Sequence, residues 1–238
     1  MRYLITIAYD GSKYYGFQRQ DGKITVQGEL EKALTIINKE PVIIKGAGRT
    51  DRGVHAYGQK AHFNLSLNIL PAQLLLALNH YLPDYIRITK CQQESDNFHA
   101  RFDVKQKTYE YRIYCDNNNP LFFDYYYCYR ANYNLHQMRL AAKKMVGIHD
   151  YKNFVSGSRN NSQAILHKIK IKQQGKIIVI SLTGKSFYRY MVRNIVGALI
   201  AVGLKQKPVN YIEELLTGDT KCCVTAPANG LYLMDIKY

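Results

Sequence analysis

The sequence predicts an α+β protein built from two sheet-and-helix units, and three observations carry that prediction. Apolar residues alternate along some short segments and recur at helical spacing in others, in the order β-α-β-β-α-β over residues 2–91. The second half follows the same logic more loosely. Hydrophobic residues make up 47% of the 238 positions, which is enough to bury a sizeable core in one large domain or two small ones.

Arg2 to Tyr9 alternates around Leu4, Ile5 and Ile7 and runs into Asp10-Gly11, a turn signal, so it reads as a strand. Val26, Leu30, Ala33, Leu34 and Ile37 recur at helical spacing behind Thr25 as N-cap, and Pro41 ends that element. Val42 to Lys45 reads as a short strand, and Tyr57 to Leu65 as another, with Ala61 and Phe63 on one face. Pro71 opens a helix through Leu74, Leu75 and Leu78, which Leu82-Pro83 stops, and Ile86 to Cys91 reads as a strand. This is the order of a split ferredoxin-like, or RRM-like, unit with helices packed on one side of its sheet.

Beyond it, Thr108 to Tyr114 alternates strongly, and Leu135 to Val146 forms a helix with Met138, Ala141, Ala142 and Met145 inward. Ile165–Ile171 and Ile177–Leu182 form a hairpin, Met191 to Val202 a buried helix, and Val209 to Leu216 a short helix ended by Gly218. Leu231 to Ile236 closes the chain as a strand, while Cys115 to Tyr133, rich in Asn, Tyr and Phe, reads as an extended loop. The expected division is 1–105 and 106–238, with the active-site cleft between the two units.

Lys and Arg number 33 against 18 Asp and Glu, a formal charge of +15. An excess of that size points to a polyanionic partner, and its spread along the chain favours a folded basic face over a disordered arm. Twenty-one tyrosines agree with RNA binding, because a phenol ring stacks on bases and its hydroxyl hydrogen-bonds. The five cysteines, Cys91, Cys115, Cys128, Cys222 and Cys223, include no C-x-x-C pair, so they read as reduced thiols. The longest apolar run, Ile195 to Val202, falls well short of the roughly 18 residues a membrane span needs. A soluble cytoplasmic protein with no membrane partner is expected.

The chemistry concentrates in Ala47-Gly48-Arg49-Thr50-Asp51-Arg52-Gly53-Val54-His55. Asp51 is a lone carboxylate between two arginines and two glycines. The glycines allow a ligand close to the backbone, and the arginines favour the ionised acid. Such a group suits nucleophilic attack on a polyanion better than paired acid/base hydrolysis. Arg49 and Arg52 read as phosphate contacts, or as a wedge that takes the place of an extruded base. Tyr109 stands in Lys107-Thr108-Tyr109-Glu110-Tyr111-Arg112, and Arg193 opens an apolar helix in Phe187-Tyr188-Arg189-Tyr190-Met191-Val192-Arg193-Asn194-Ile195-Val196-Gly197. An arginine there either snorkels or finds an anion. The histidines offer no metal set, no phosphate-binding glycine motif is present, and no cofactor is expected.

These segments together resemble the tRNA pseudouridine synthase A family. Gly48 to His55 matches its G-R-T-D-x-G-V-H signature, and further matches run from Tyr9-Asp10-Gly11-Ser12 to Ala226-Pro227-Ala228 and Gly230-Leu231-Tyr232-Leu233. The resemblance implies isomerisation of uridine in the anticodon stem-loop of tRNA, at positions 38–40, by a homodimer. It makes Asp51 catalytic, gives Arg49 the base-flipping role and puts Tyr109 against the target base, near the C5 proton. It pairs Arg193 with the catalytic aspartate. Arg52, His55 and Lys107 fall in the same motifs and join the substrate-binding set. The sequence departs from the family at Arg52, where a small residue is usual, at Tyr190, where His is usual, and at Phe17, where Trp is frequent.

Two rivals remain at this stage. A non-catalytic tRNA-binding protein or RNA chaperone also fits tyrosine-bearing sheets, although a carboxylate facing phosphates would not help a pure binder. A hydrolase needs a second acid. Glu110 is the nearest by motif, and alternation puts it on the face opposite Tyr109.

Overall fold

Alternation along Arg2–Tyr9 produces the strand that organises the first half of the protein (β1), with Tyr3, Ile5 and Ile7 fully buried on one face. The computed structural model describes residues 1–157, 161–222 and 224–238. They divide into two compact units, one of residues 1–105 with 232–238, the other of residues 106–231.

In the first unit β1 is followed by helix α1 (Val26–Asn38), β2 (Lys45–Gly46), β3 (His55–Asn64), helix α2 (Pro71–Tyr81) and β4 (Ile86–Glu94). Thr25 caps α1 by accepting a hydrogen bond at Oγ1 from the Gly28 amide at 3.2 Å, a contact worth about 1 kcal/mol. Pro71 stands in the first turn of α2, where its missing N–H is not needed. Leu30 and Leu34 of α1 and Leu74 and Leu78 of α2 are fully buried and share the core with the β1 side chains. β1 lies between β4 and β3, antiparallel to both. The far side of β3 takes β2 at Ala61–His62 and, in parallel, the closing strand β10 (Leu231–Lys237) at His55–Ala56.

The expected strand over 42–45 shrinks to Lys45–Gly46 for a local reason. The Ile44 amide donates to Glu31 Oε1 at 3.1 Å, so a helix carboxylate takes the group that a neighbouring strand would need. Glu31 is itself buried, held by Gln27 Nε2 at 2.8 Å and Arg19 Nη1 at 3.3 Å.

His62 of β3 is also buried, and its Nδ1 accepts the Ala100 amide at 3.1 Å. Burial, with His99, Arg2 and Lys45 nearby, pushes its pKa down to about 4. The folded state therefore resists protonation that the unfolded chain accepts. Stability is full above the ordinary imidazole value near 6.5 and falls as pH drops from there towards 4, by up to about 3 kcal/mol. Urea midpoints at pH 7 and pH 4.5 should show this loss, and His62→Gln should remove most of the difference.

The second unit runs through β5 (Gln106–Tyr114), β6 (Tyr127–Cys128), helix α3 (Leu135–Lys144), β7 (Gly147–Asp150), β8 (Gln163–Gln174), β9 (Ile177–Gly184), helix α4 (Met191–Gly203) and helix α5 (Tyr211–Thr217). Its sheet is ordered β5-β9-β8-β7, with β6 parallel to β5. Met138, Ala141, Ala142 and Met145 are buried as the spacing predicts, and α4 is buried almost throughout. The expected loop over 115–133 contains β6 and a helical turn at Pro120–Phe122. Asn119 Oδ1 caps that turn through the Leu121 amide at 3.1 Å, and Phe122 packs 4.8 Å from Tyr114.

The closing segment 232–238 belongs with the first unit, where the sequence division groups it with the second. Its parallel pairing with β3 explains the placement. Cys91, Cys115, Cys128 and Cys222 are free thiols, and Cys223 lies outside the described residues. Among the described residues no helix is long and apolar enough to cross a membrane.

Candidate active site

The loop carrying Asp51 is held in large part through its main-chain carbonyls. Gln59 Nε2 donates to the Gly48 carbonyl at 3.0 Å, the Phe17 amide to the Thr50 carbonyl at 3.2 Å, and the Val54 amide to the Asp51 carbonyl at 3.2 Å. Tyr9 is buried beside the loop with its hydroxyl 2.8 Å from Thr50 Oγ1, and burial raises its pKa. A turn at Gly11–Lys13 presses on the loop from below. A Cβ on Gly11 would stand 2.0 Å from the Val54 carbonyl oxygen, so no other residue fits unless the loop moves. Gly16 supports it likewise at φ +91°, its Cβ position 2.6 Å from the Thr50 carbonyl oxygen.

On this frame Asp51 is half-buried, and Arg49 and Arg52 are exposed. The Arg52 guanidinium carbon lies 4.3 Å from the centre of the Tyr15 ring, a cation–π contact that aims the departure from the family pattern along the protein surface. His55 is only 2% exposed. Its Nδ1 accepts the Gly11 amide at 3.1 Å and lies 3.2 Å from Asp10 Oδ1, and its ring stacks on Tyr232 at 4.7 Å. Such a residue ties the turn to β3 and positions the loop between them.

In the second unit, Tyr109 and Lys107 share one face of β5. Tyr109 is 7% exposed and packs edge-to-face against Phe187, ring centres 5.1 Å apart. Glu110 points the other way and pairs with Arg112 at 3.4 Å, so β5 does not present a carboxylate beside Tyr109. Arg193 sits in the first turn of α4, where a cation opposes the helix dipole. Its Nε donates to the Ala226 carbonyl at 2.7 Å, and its guanidinium carbon lies 5.0 Å from the Tyr190 ring. Tyr190 holds a left-handed backbone, φ 63°, at the helix start.

The sequence assigned no role to Tyr9, Tyr15, Gln59 or Phe187, although all four hold or cover site residues. Tyr9, Tyr15 and Phe187 stand inside matched motifs and were findable there. Gln59 carries no local signal. Among the described residues no group of three His, Cys, Asp or Glu side chains is arranged to hold a metal ion.

A carboxylate flanked by arginines in a strongly basic α+β protein is suited to chemistry on a polyanion. The sequence model of the family described as tRNA pseudouridine synthase matches residues 5–103 and 141–238. A tRNA pseudouridine synthase A of Pseudoalteromonas atlantica is 39% identical over 250 residues, covering 100% of this chain and 92% of that protein. One from Pseudothermotoga lettingae is 40% identical over 243 residues, covering 100% and 99%. One from Borrelia turicatae is 38% identical over 241 residues, covering 99% and 98%. The chain belongs to the tRNA pseudouridine synthase family, isomerases that act on tRNA uridine.

Proposed function

We propose that this enzyme converts uridine to pseudouridine in the anticodon stem-loop of tRNA, at positions 38–40, with Asp51 as the nucleophile. One observation carries the reading: a single carboxylate, Asp51, on a loop whose Gly48, Thr50 and Asp51 carbonyls are engaged, between two exposed arginines. Arg49 takes the place of the target nucleotide as it leaves the stack, since chemistry on a paired or stacked base requires extrusion. Arg52 and Lys107 hold phosphates. Asp51 attacks the nucleotide, the N1–C1′ bond breaks, and the base turns. C5 then bonds to C1′ as the bond to Asp51 breaks, N1 takes a proton and the C5 proton leaves. Atoms and electrons balance without redox change, so no cofactor or energy source enters. Arg193 binds an anionic part of the substrate, and Tyr109 stacks on the base and helps remove the C5 proton. The same reading makes the enzyme a cytoplasmic homodimer.

Loss of the C5 proton supplies the test. tRNA carrying tritium at uridine C5 should release label to water in step with pseudouridine formed, and release without product would refute the proposal. Tyr109→Leu should lower kcat/KM by roughly 10- to 100-fold through lost stacking. Tyr109→Phe should keep KM and lower kcat by about tenfold. Equal kcat for Phe and Tyr would remove the hydroxyl from the mechanism.

A further inference from the structure

We propose that the face of the second unit's sheet opposite Tyr109 is a rail for the sugar–phosphate backbone of tRNA, formed by Lys168, Lys170 and Lys172. The inference rests on the reading that the target uridine lies against Tyr109.

A register shift between Leu166 and Lys168 creates the rail. Before it, Ala164 and Leu166 point into the core. After it, Ile171 does, and the lysines at every second position project outward, all exposed. Alternate residues of a strand stand about 6.6 Å apart on one face, so the three ammonium groups form a line. The register across the sheet completes the surface. Lys168 lies beside Thr183 and Thr108, Lys170 beside Ser181 and Glu110, and Lys172 beside Val179 and Arg112. None of these residues is buried. Thr108 and Thr183 hydroxyls lie 3.3 Å apart, so short hydroxyl side chains floor the strip beside the lysines. The carboxylate in these rows, Glu110, is paired with Arg112. Cations in line above a hydroxyl floor suit phosphate and ribose oxygens.

Edge protection is the competing explanation, because β7 pairs only with Gln163–Leu166 and lysines commonly guard open edges. Arg139 Nε already covers this edge at the Ile171 carbonyl, 3.1 Å away, and a guard does not require hydroxyl rows on the two adjoining strands. A backbone on this face cannot be that of the nucleotide stacked on Tyr109, since the sheet lies between. The rail therefore takes a part of tRNA away from the reacting uridine.

The test compares the triple variant Lys168→Gln, Lys170→Gln, Lys172→Gln with a control of equal charge loss, Lys32→Gln, Lys39→Gln, Lys90→Gln, in the full-length protein. Affinity for an unmodified tRNA transcript is measured across a salt series. The rail variant should lower the slope of log K against log salt by about 2 to 3, roughly one per phosphate contact, and weaken binding at least about tenfold at moderate salt. The control should change the slope by less than half as much, and product formation at saturating tRNA should stay at the wild-type rate in both. Equal slopes for the two variants overturn the proposal. So does an unchanged slope with self-association of the rail variant, which would make the lysines edge guards. A wild-type protein that binds tRNA but makes no pseudouridine would refute the proposed function, while the slopes would still decide whether this face binds RNA.

Discussion

Asp51→Asn should abolish pseudouridine formation, lowering the single-turnover rate by at least about 10³-fold, while tRNA binding is kept or tightened. The substitution preserves shape. The loop is held through main-chain carbonyls and through Tyr9, Gln59 and Phe17, none of which depends on the carboxylate charge, so the fold should be unaffected. What disappears is the nucleophile, because a neutral amide cannot attack and then leave. Removing a negative charge from a surface that faces phosphates also lowers repulsion, so affinity should not fall. Retention of more than a tenth of the activity would exclude Asp51 as nucleophile. Loss of binding together with activity would make its role structural.

Gly11→Ala should slow turnover by about 10²-fold and lower stability by about 1–3 kcal/mol, with little change in tRNA affinity. An added Cβ would meet the Val54 carbonyl oxygen at 2.0 Å and its carbon at 2.4 Å, so the main chain must separate by about an ångström to reach ordinary contact. Val54 directly follows the Asp51-Arg52-Gly53 turn, and the Gly11 amide bonds His55, so both supports shift together. Displacing a reactive group by that distance is costly for rate, whereas phosphate contacts through long, exposed arginines adjust easily. Urea unfolding and single-turnover kinetics on the same sample separate the two effects. Lower stability with an unchanged rate would mean that Asp51 is not positioned from Gly11.

The sequence disclosed those parts of the fold whose signal is local and periodic. The strand Arg2–Tyr9 and the helices α1, α2 and α4 begin where alternation, caps and proline place them. β6 and β7 were not visible, because two and four residues are too short to display a period. The placement of β10 was invisible for another reason: Tyr232 pairs with His55 across most of the chain, and nothing near Tyr232 encodes that partner. The same contrast holds at the site. Asp51, Arg49, Tyr109 and Arg193 stand in motifs with unusual local chemistry. Their supports are hydrogen bonds such as Gln59 to the Gly48 carbonyl and the Ile44 amide to Glu31, which leave no periodic trace. His55 shows both sides: its motif marks it as part of the site, and its burial against Gly11 and Tyr232 gives it a positioning task.

The central claim, isomerisation of anticodon-arm uridine by this chain, is tested most directly by mapping its product. An unmodified tRNA transcript is incubated with the purified protein, labelled chemically at pseudouridine and read by primer extension, with free uracil assayed in the supernatant. The account predicts stops confined to positions 38–40 and no uracil. Stops elsewhere in the tRNA, or release of uracil in place of pseudouridine, would contradict it.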